Sequence, residues 1–385
     1  MLKIAILGTG AIADRHIQSY LKFPDQCRVV ALADLFPDKA REKASRHGLE
    51  AAVFPDLKRL LAEADFDAAS VCLPPFEHAP ATVALLDAGK HVLVEKPMAT
   101  CLAECDQMQA AARASGRLLS VVAQNRFQTP VMKLKQVLEA GLLGRVLHAQ
   151  VDSFWWRGSN YYDLWWRGTW DKEGGGCTMN HAVHHIDLFQ WMRGLPTEVW
   201  AVNANLNHDN SEVEDFATAV LQYPDGSIGQ ITASLVHHGE DQQLVFQGER
   251  ARVGLPWQVR AMTQRENGFP TEDVSTQDKI QDFYDRLPDV VQQGHDGQIA
   301  NFLQAIAGDA PLLIDAEQGR RTLELVSAIY QSGHLGGKVA LPLTPDDPFY
   351  ARDGILRVAR RFRTKTRSVA NFADNEITFG RDYGK

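Results

Sequence analysis

A short apolar run, Lys3-Ile4-Ala5-Ile6-Leu7, stops at Gly8-Thr9-Gly10-Ala11-Ile12-Ala13. Unbroken apolar runs of this length, punctuated by glycine or proline, predict strands buried on both faces. Others are 28–33, ending at Asp34, then 68–73, stopped by Pro74-Pro75, then 91–95, stopped by Lys96-Pro97, then 118–123. Helix-like spacing fills the gaps: up to Leu21, then 56–64, 79–89 and 99–115. This alternation predicts a doubly wound parallel sheet over the first third of the chain. The pattern changes at Gln124. An amphipathic helix is predicted over 130–140 and an alternating strand over 146–154. Strand-like segments follow at 199–205, 216–223, 227–236 and 242–247, with Pro224-Asp225-Gly226 as a hairpin turn. Helices are predicted over 295–306 and 316–332. The expected fold class is α/β: an N-terminal doubly wound parallel sheet over 1–123, then a second domain over 124–343 with a mostly antiparallel sheet. Residues 344–385 form a C-terminal extension.

Composition narrows the function classes. A chain of 385 residues that is 45% hydrophobic has material for two cores. A net charge of -8 argues against a nucleic-acid partner. Five scattered cysteines without a CxxC pair fit reduced thiols and a reducing compartment. With no signal peptide and no long apolar run, a cytoplasmic location and no membrane association are expected. The extension is locally basic, with Arg357, Arg360, Arg361, Arg363, Lys365 and Arg367. It is expected to pack across a neighbouring subunit or the chain's own acidic face.

Four stretches carry chemistry. Strand, G-x-G-x-x-A turn and helix form a dinucleotide fingerprint: Gly8 allows the turn, Gly10 lets backbone approach a pyrophosphate, and Ala13 permits close packing. Ala11 and Ile12 open the helix whose N-terminus faces that pyrophosphate. Asp34, at the end of the second strand, suits the two ribose hydroxyls and repels a 2′-phosphate, so NAD is expected over NADP. Its alternative role is a helix cap before Pro37. Lys96 lies at the carboxyl end of a strand, the ligand-binding edge of such sheets. In 174–187, three glycines precede Asn180, His184 and Asp187, spaced i, i+4, i+7 on one predicted helix face. That face offers an amide, an imidazole and a carboxylate for handling a proton. His184 and His185 are adjacent and no HExxH pattern surrounds them, so no metal is expected. Between the two halves lie Trp155, Trp156, Tyr161, Tyr162, Trp165, Trp166 and Trp170, holding five of the eight tryptophans. Aromatic faces suit the C–H faces of sugars, although a loop packed by its own aromatics, or a subunit contact, has the same composition.

Together, Gly8-Thr9-Gly10-Ala11-Ile12-Ala13, Glu95-Lys96-Pro97, Gln124-Asn125-Arg126-Phe127 and the glycine–Asn–His–Asp stretch resemble the Gfo/Idh/MocA oxidoreductase family. That family includes glucose–fructose oxidoreductase and inositol dehydrogenases. The resemblance reaches to about Leu343. It implies an NAD-dependent enzyme that transfers hydride at a secondary hydroxyl, or ketone, of a sugar, sugar acid or cyclitol. It implies Lys96 and His184 as catalytic residues, with Asn180 completing the trio where many members have aspartate. A carboxylate at 180 would favour the charged imidazolium, so asparagine is expected to leave His184 neutral more readily. Further cofactor candidates are Leu73, Pro74, His78, Glu95, Lys96 and Gln124. Substrate candidates are Lys96, Arg126, Trp166, Arg167, Asn180 and His184, with Asp187 orienting His184 or nearby backbone. The resemblance implies an N-terminal Rossmann domain and a C-terminal α/β domain with a large open sheet that often forms a subunit interface, so a homodimer or homotetramer is expected. Two other readings stay open: a glycoside-cleaving enzyme that oxidises its substrate transiently, and a non-catalytic dinucleotide or sugar sensor.

Overall fold

A computed structural model describes residues 1–372, so the end of the extension lies outside the described residues. The first sheet contains β1 (Leu2–Leu7), β2 (Cys27–Ala33), β3 (Ala52–Phe54), β4 (Ala68–Val71), β5 (His91–Val94) and β6 (Leu119–Val121). Every pairing in it is parallel and the order is β3-β2-β1-β4-β5-β6. On β1, Ile4 and Ile6 enter one core while Ala5 and Leu7 enter another. This is why the run is continuously apolar rather than alternating. The flanking helices are α1 (Ala11–Tyr20), α2 (Pro37–Arg46), α3 (Leu57–Glu63), α4 (His78–Asp87) and α5 (Leu102–Ser115).

After α6 (Thr129–Glu139) the chain builds the larger sheet. Its strands are β7 (Val146–Phe154), β8 (Glu198–Ala204), β9 (Phe216–Gln222), β10 (Ile228–Ser234), β11 (Gln242–Gly248), β12 (Arg252–Leu255), β13 (Gln258–Arg260) and, after a small hairpin of β14 (Met262–Gln264) and β15 (Pro270–Glu272), β16 (Val339–Ala340). The order is β13-β12-β11-β7-β10-β9-β8-β16. Antiparallel pairing dominates, as expected, but the central β7–β10 pair is parallel. The turn at 224–226 joins β9 to β10 as predicted. The β14–β15 hairpin and α9 (Val274–Arg286) were not predicted; their positions are mostly exposed, so no buried stripe marks them.

One face of this sheet is covered by α8 (Val183–Arg193) and α11 (Ala316–Leu335). The helix α11 also packs on α5 and β6, with Gly319 tight against Val121, so it joins the two sheets. Helix α10 (Gly294–Ala307) returns to the first sheet, where Ile299, Phe302 and Leu303 share a core with Ile4 and Ile6. The opposite face of the large sheet exposes Trp200, Val202, Val220 and Ile228.

Burial also places one charged pair between α1 and the end of β5. His16, fully buried, sits 2.9 Å through Nε2 from Glu95 Oε1 and 3.0 Å through Nδ1 from Ser70 Oγ. The Tyr20 hydroxyl completes this network at Ser70, and the Lys96 N–H donates to Glu95 Oε2. Burial alone would neutralise both groups. Cys72 and Glu95 outweigh it at His16 and raise its pKa; His16 outweighs it at Glu95 and lowers that carboxyl. Removing one partner leaves an uncompensated buried charge. His16→Asn should therefore cost about 3–5 kcal/mol in urea denaturation near pH 6. The pair contributes fully between the ordinary values of 4.5 for glutamate and 6.5 for histidine. The gap between wild type and variant should shrink as pH rises through the raised His16 pKa, or falls through the lowered Glu95 pKa. A gap that does not change with pH would contradict the ion pair.

Candidate active site

The glycine turn is held by a carboxylate that the sequence pattern did not mark. Glu214, buried in the loop before β9, accepts from Gly176 N at 3.0 Å, Thr178 N at 2.9 Å and Tyr330 Oη at 2.9 Å. A Cβ at Gly176 would collide with the Glu214 main chain, so close approach is what demands glycine there. The turn leads into α7 (Cys177–Asn180), which is only one turn long. The chain breaks at His181 and Ala182 before α8 begins at Val183. The expected single helix over 180–187 is therefore two pieces, and Asn180, His184 and Asp187 do not share one helix face.

That break turns the end of α7 toward the first sheet. Lys96 Nζ donates to the main-chain carbonyl of Asn180 at 2.9 Å. The Asn180 side-chain amide donates instead to Gly175 O at 3.2 Å. Asn180 thus meets the lysine through its backbone, a contact that any residue at 180 would supply. Lys96 and His184 line one cavity with Pro97, Met98, Ala123 and Val183. Burial lowers the Lys96 pKa against the opposing pull of Glu95. Burial, then the Lys96 ammonium, holds His184 well below the ordinary histidine value. Desolvation is the leading cause of this lowering, and residue 180 is not among its causes.

Several candidates lie elsewhere than expected. Asp187 does not orient His184: its two oxygens accept from Arg126 Nη2 and Nε, each at 2.7 Å, and one also from the Thr322 hydroxyl. Arg126 is fully buried in that bidentate pair and also reaches Gln318, so it is a structural cation and no open substrate contact. His78 is buried between two carbonyls, with Nδ1 2.7 Å from Pro97 O and Nε2 2.8 Å from Leu73 O, so its ring bridges the ends of two strands. Glu95 is buried against His16 and supports Lys96 from behind.

The remaining cofactor candidates line the carboxyl edge of the first sheet. Gly8 has φ +83°, and a Cβ there would lie 2.5 Å from Cys72 O. Gly10, by contrast, faces open space at the start of α1. Ala11 and Ile12 follow it, and Leu73 and Pro74 lie half-buried just past β4. Asp34 Oδ2 accepts from Thr9 N and Thr9 Oγ1, and Oδ1 from Phe36 N. It braces the glycine loop and caps the following turn, and one unused lone pair on Oδ1 remains for a ribose hydroxyl. Gln124 Oε1 is buried without a protein partner, an acceptor a nicotinamide carboxamide would satisfy. These features fit a bound dinucleotide.

The aromatic stretch divides by burial. Trp155, Tyr162 and Trp170 belong to the core. Trp170 packs edge-on against Tyr330, His334 and Phe349, and Trp155 Nε1 donates to Ser153 Oγ. Trp156 is exposed, while Trp165 and Trp166 are half-buried. Arg167 lies over the Trp166 and Tyr161 rings and reaches Tyr161 Oη and Glu173 Oε1. Two further groups escaped sequence reasoning. Glu173 is buried, and burial raises its pKa to about 7 against the pull of Arg167. His181 Nδ1 is buried and unpartnered beside Tyr161. Single acids and histidines in a loop carry no periodic signal that would have found them.

A doubly wound sheet with a glycine-loop edge, facing a lysine and a neutral histidine across the join to a second sheet, defines a dinucleotide-dependent oxidoreductase. Residues 2–123 match an oxidoreductase family with an NAD-binding Rossmann fold, and residues 131–254 match the GFO/IDH/MocA C-terminal domain. The chain belongs to the Gfo/Idh/MocA family of oxidoreductases, and NAD is its cofactor. It is 26% identical over 359 residues to D-glucoside 3-dehydrogenase of Escherichia coli (strain K12), covering 88% of this chain and 97% of that protein. It is 29% identical over 266 residues to an inositol 2-dehydrogenase/D-chiro-inositol 3-dehydrogenase of Shouchella clausii (strain KSM-K16), covering 66% and 72%. The solved WlbA dehydrogenase of Bordetella pertussis, in complex with NADH and UDP-GlcNAcA, aligns with a TM-score of 0.78 at 28% identity, covering 89% of this chain and 98% of that one. Among the described residues no helix is long and apolar enough to cross a membrane.

A lowered histidine pKa keeps the neutral base present as pH falls. The acid limb of kcat/KM for alcohol oxidation should therefore lie below ~6.5, the unperturbed histidine value. A limb at or above that value in the pH–rate profile would contradict a desolvated His184 base.

Proposed function

We propose that this oxidoreductase acts on a secondary hydroxyl, or the corresponding ketone, of a sugar, sugar acid or cyclitol. The observation that carries the reading is the Lys96 ammonium, held by the Asn180 carbonyl and sharing a cavity with neutral His184 at the carboxyl edge of the dinucleotide sheet. The names of the glucoside and inositol dehydrogenase relatives support this substrate class. Bound NAD supplies hydride acceptance there. His184 takes the hydroxyl proton as the C–H hydride leaves, so the alcohol becomes a carbonyl. Lys96 spends one N–H on Asn180 and has two left; one of them donates to the reacting oxygen and stabilises its developing charge. Trp166 and Arg167 contribute an aromatic face and a polar edge to the substrate, and Gly8, Gly10, Ala11, Ile12, Asp34, Leu73, Pro74 and Gln124 hold the dinucleotide, with residues 1–123 as its domain. A cytoplasmic location accords with five free, buried thiols. The test is a panel of sugars, sugar acids and cyclitols with NAD or NADP, reading NADH or NADPH absorbance. Net reduction of NAD by at least one member is expected. Lys96→Met should keep NADH binding and lower turnover by ~10²-fold or more. A panel with no net reduction, or a variant with near-normal turnover, would overturn the reading.

The open face of the large sheet is proposed as the contact in a homodimer or homotetramer. Trp200 is 56% exposed there beside Val202 and Val220, an apolar group of the kind that marks an interface. Sedimentation velocity should show an oligomer that Trp200→Glu dissociates; a wild-type monomer, or an undisturbed variant, would refute the assignment.

A further inference from the structure

After α12 (Arg352–Val358) the chain has almost no regular structure, yet it is pinned at nearly every second residue. Arg360 N donates to His334 Nδ1, and Arg360 O accepts from Trp170 Nε1. Phe362 N donates to Glu212 O at 3.0 Å. Asn210, fully buried, then acts as a two-sided clamp. Its Oδ1 accepts from Thr366 N at 2.7 Å and Arg367 N at 2.9 Å. Its Nδ2 donates to Arg367 O at 2.9 Å, Asp163 Oδ1 at 2.7 Å and Tyr162 O at 3.3 Å. The amide oxygen holds the extension, and the amide nitrogen bridges the extension and the aromatic stretch. Val369 then pairs with that stretch like an added strand: its N–H donates to Asp163 O at 2.8 Å and its carbonyl accepts from Trp165 N at 2.9 Å. Arg367 reinforces the seam with Asp163 and Asp209. Two residues further on, Asn371 Oδ1 accepts from Lys39 Nζ at 3.3 Å. Lys39 lies in α2, five positions after Asp34.

We propose that residues 360–371 are a positioning strap, with Asn210 as its anchor. The strap holds Trp165-Trp166-Arg167, the segment proposed above to meet the substrate, in place. It then crosses to the nucleotide unit on the side of Asp34, so NAD(H) affinity depends on it. Neither Asn210 nor the strap touches the reacting atoms; they act through the segments they hold. The inference rests on the reading of Asp34 as the ribose-side residue.

The test uses full-length protein and NADH. Asn210→Ala removes the clamp, Val369→Pro removes the N–H to Asp163, and Asn371→Ala releases Lys39 without changing its charge. Two readouts are taken: amide hydrogen exchange of peptides spanning 159–170, and the NADH dissociation constant from fluorescence titration. Exchange in 159–170 should rise by roughly tenfold in Asn210→Ala and Val369→Pro, with the β7–β11 amides unchanged. NADH affinity should fall roughly threefold or more in Asn371→Ala and in Asn210→Ala. If Asn210→Ala fails to fold, the other two variants carry the comparison. Unchanged exchange at 159–170 would overturn the strap. Faster exchange with unchanged NADH affinity in every variant would make the extension a purely structural brace and overturn the positioning role. Failure of the unmodified protein to bind NADH would overturn both the functional reading and the strap's link to the cofactor, while the exchange data would still report whether the seam exists.

Discussion

An ammonium that leaves water needs another oxygen to replace its hydration. Lys96 finds it in the carbonyl of Asn180, and that single contact sets where the two halves of the site meet. Lys96 belongs to the end of β5, Asn180 to the one-turn helix in front of the large sheet. The carbonyl is free to accept because α7 ends there. A continuous helix through 180–187 would have used it for its own ladder. The break at His181 and Ala182 is thus what makes the junction chemical as well as structural.

Each side of this contact is held by a buried carboxylate. Behind Lys96, Glu95 is fixed by His16 and accepts the lysine's own N–H, so the strand end is tied to α1. Behind Asn180, Glu214 gathers the N–H groups of Gly176 and Thr178 and the Tyr330 hydroxyl. Tyr330 lies on α11, which also packs on β6, so the same helix registers both sheets. Deep burial of the two carboxylates makes each arrangement costly to disturb. Positions on the cavity wall, Lys96 and His184 among them, stay partly open and desolvated enough to lower their pKa values.

Much of the fold was legible because its signal is periodic. The first sheet came from apolar runs cut by Gly8, Asp34, Pro74 and Pro97, and the second from alternation such as 146–154 and 216–223. Family motifs brought Lys96 and His184 to one site. What escaped depends on contacts between distant residues. Helical spacing at Asn180, His184 and Asp187 did not reveal the break between α7 and α8, which the glycine turn and Glu214 impose. Arg126 and Asp187 looked like site residues, but each is the other's buried partner across 61 positions. His78 lies near the cofactor edge in sequence but spends its ring on Pro97 and Leu73. Composition alone could not sort the tryptophans into core, as for Trp155 and Trp170, and half-buried loop, as for Trp165 and Trp166. The basic extension meets the chain's own acidic face, at Asp163, Asp209 and Glu212, one of the two placements that its charge left open.

The central claim is that Lys96 and His184 converge on one reacting position beside the nicotinamide. A crystal structure of the protein with NAD measures this directly. The account predicts the nicotinamide ring at the carboxyl edge of β4 and β5, its C4 facing the space between Lys96 Nζ and the His184 ring, and its carboxamide on Gln124. A nicotinamide lying away from that space, with either residue turned from it, would contradict the account.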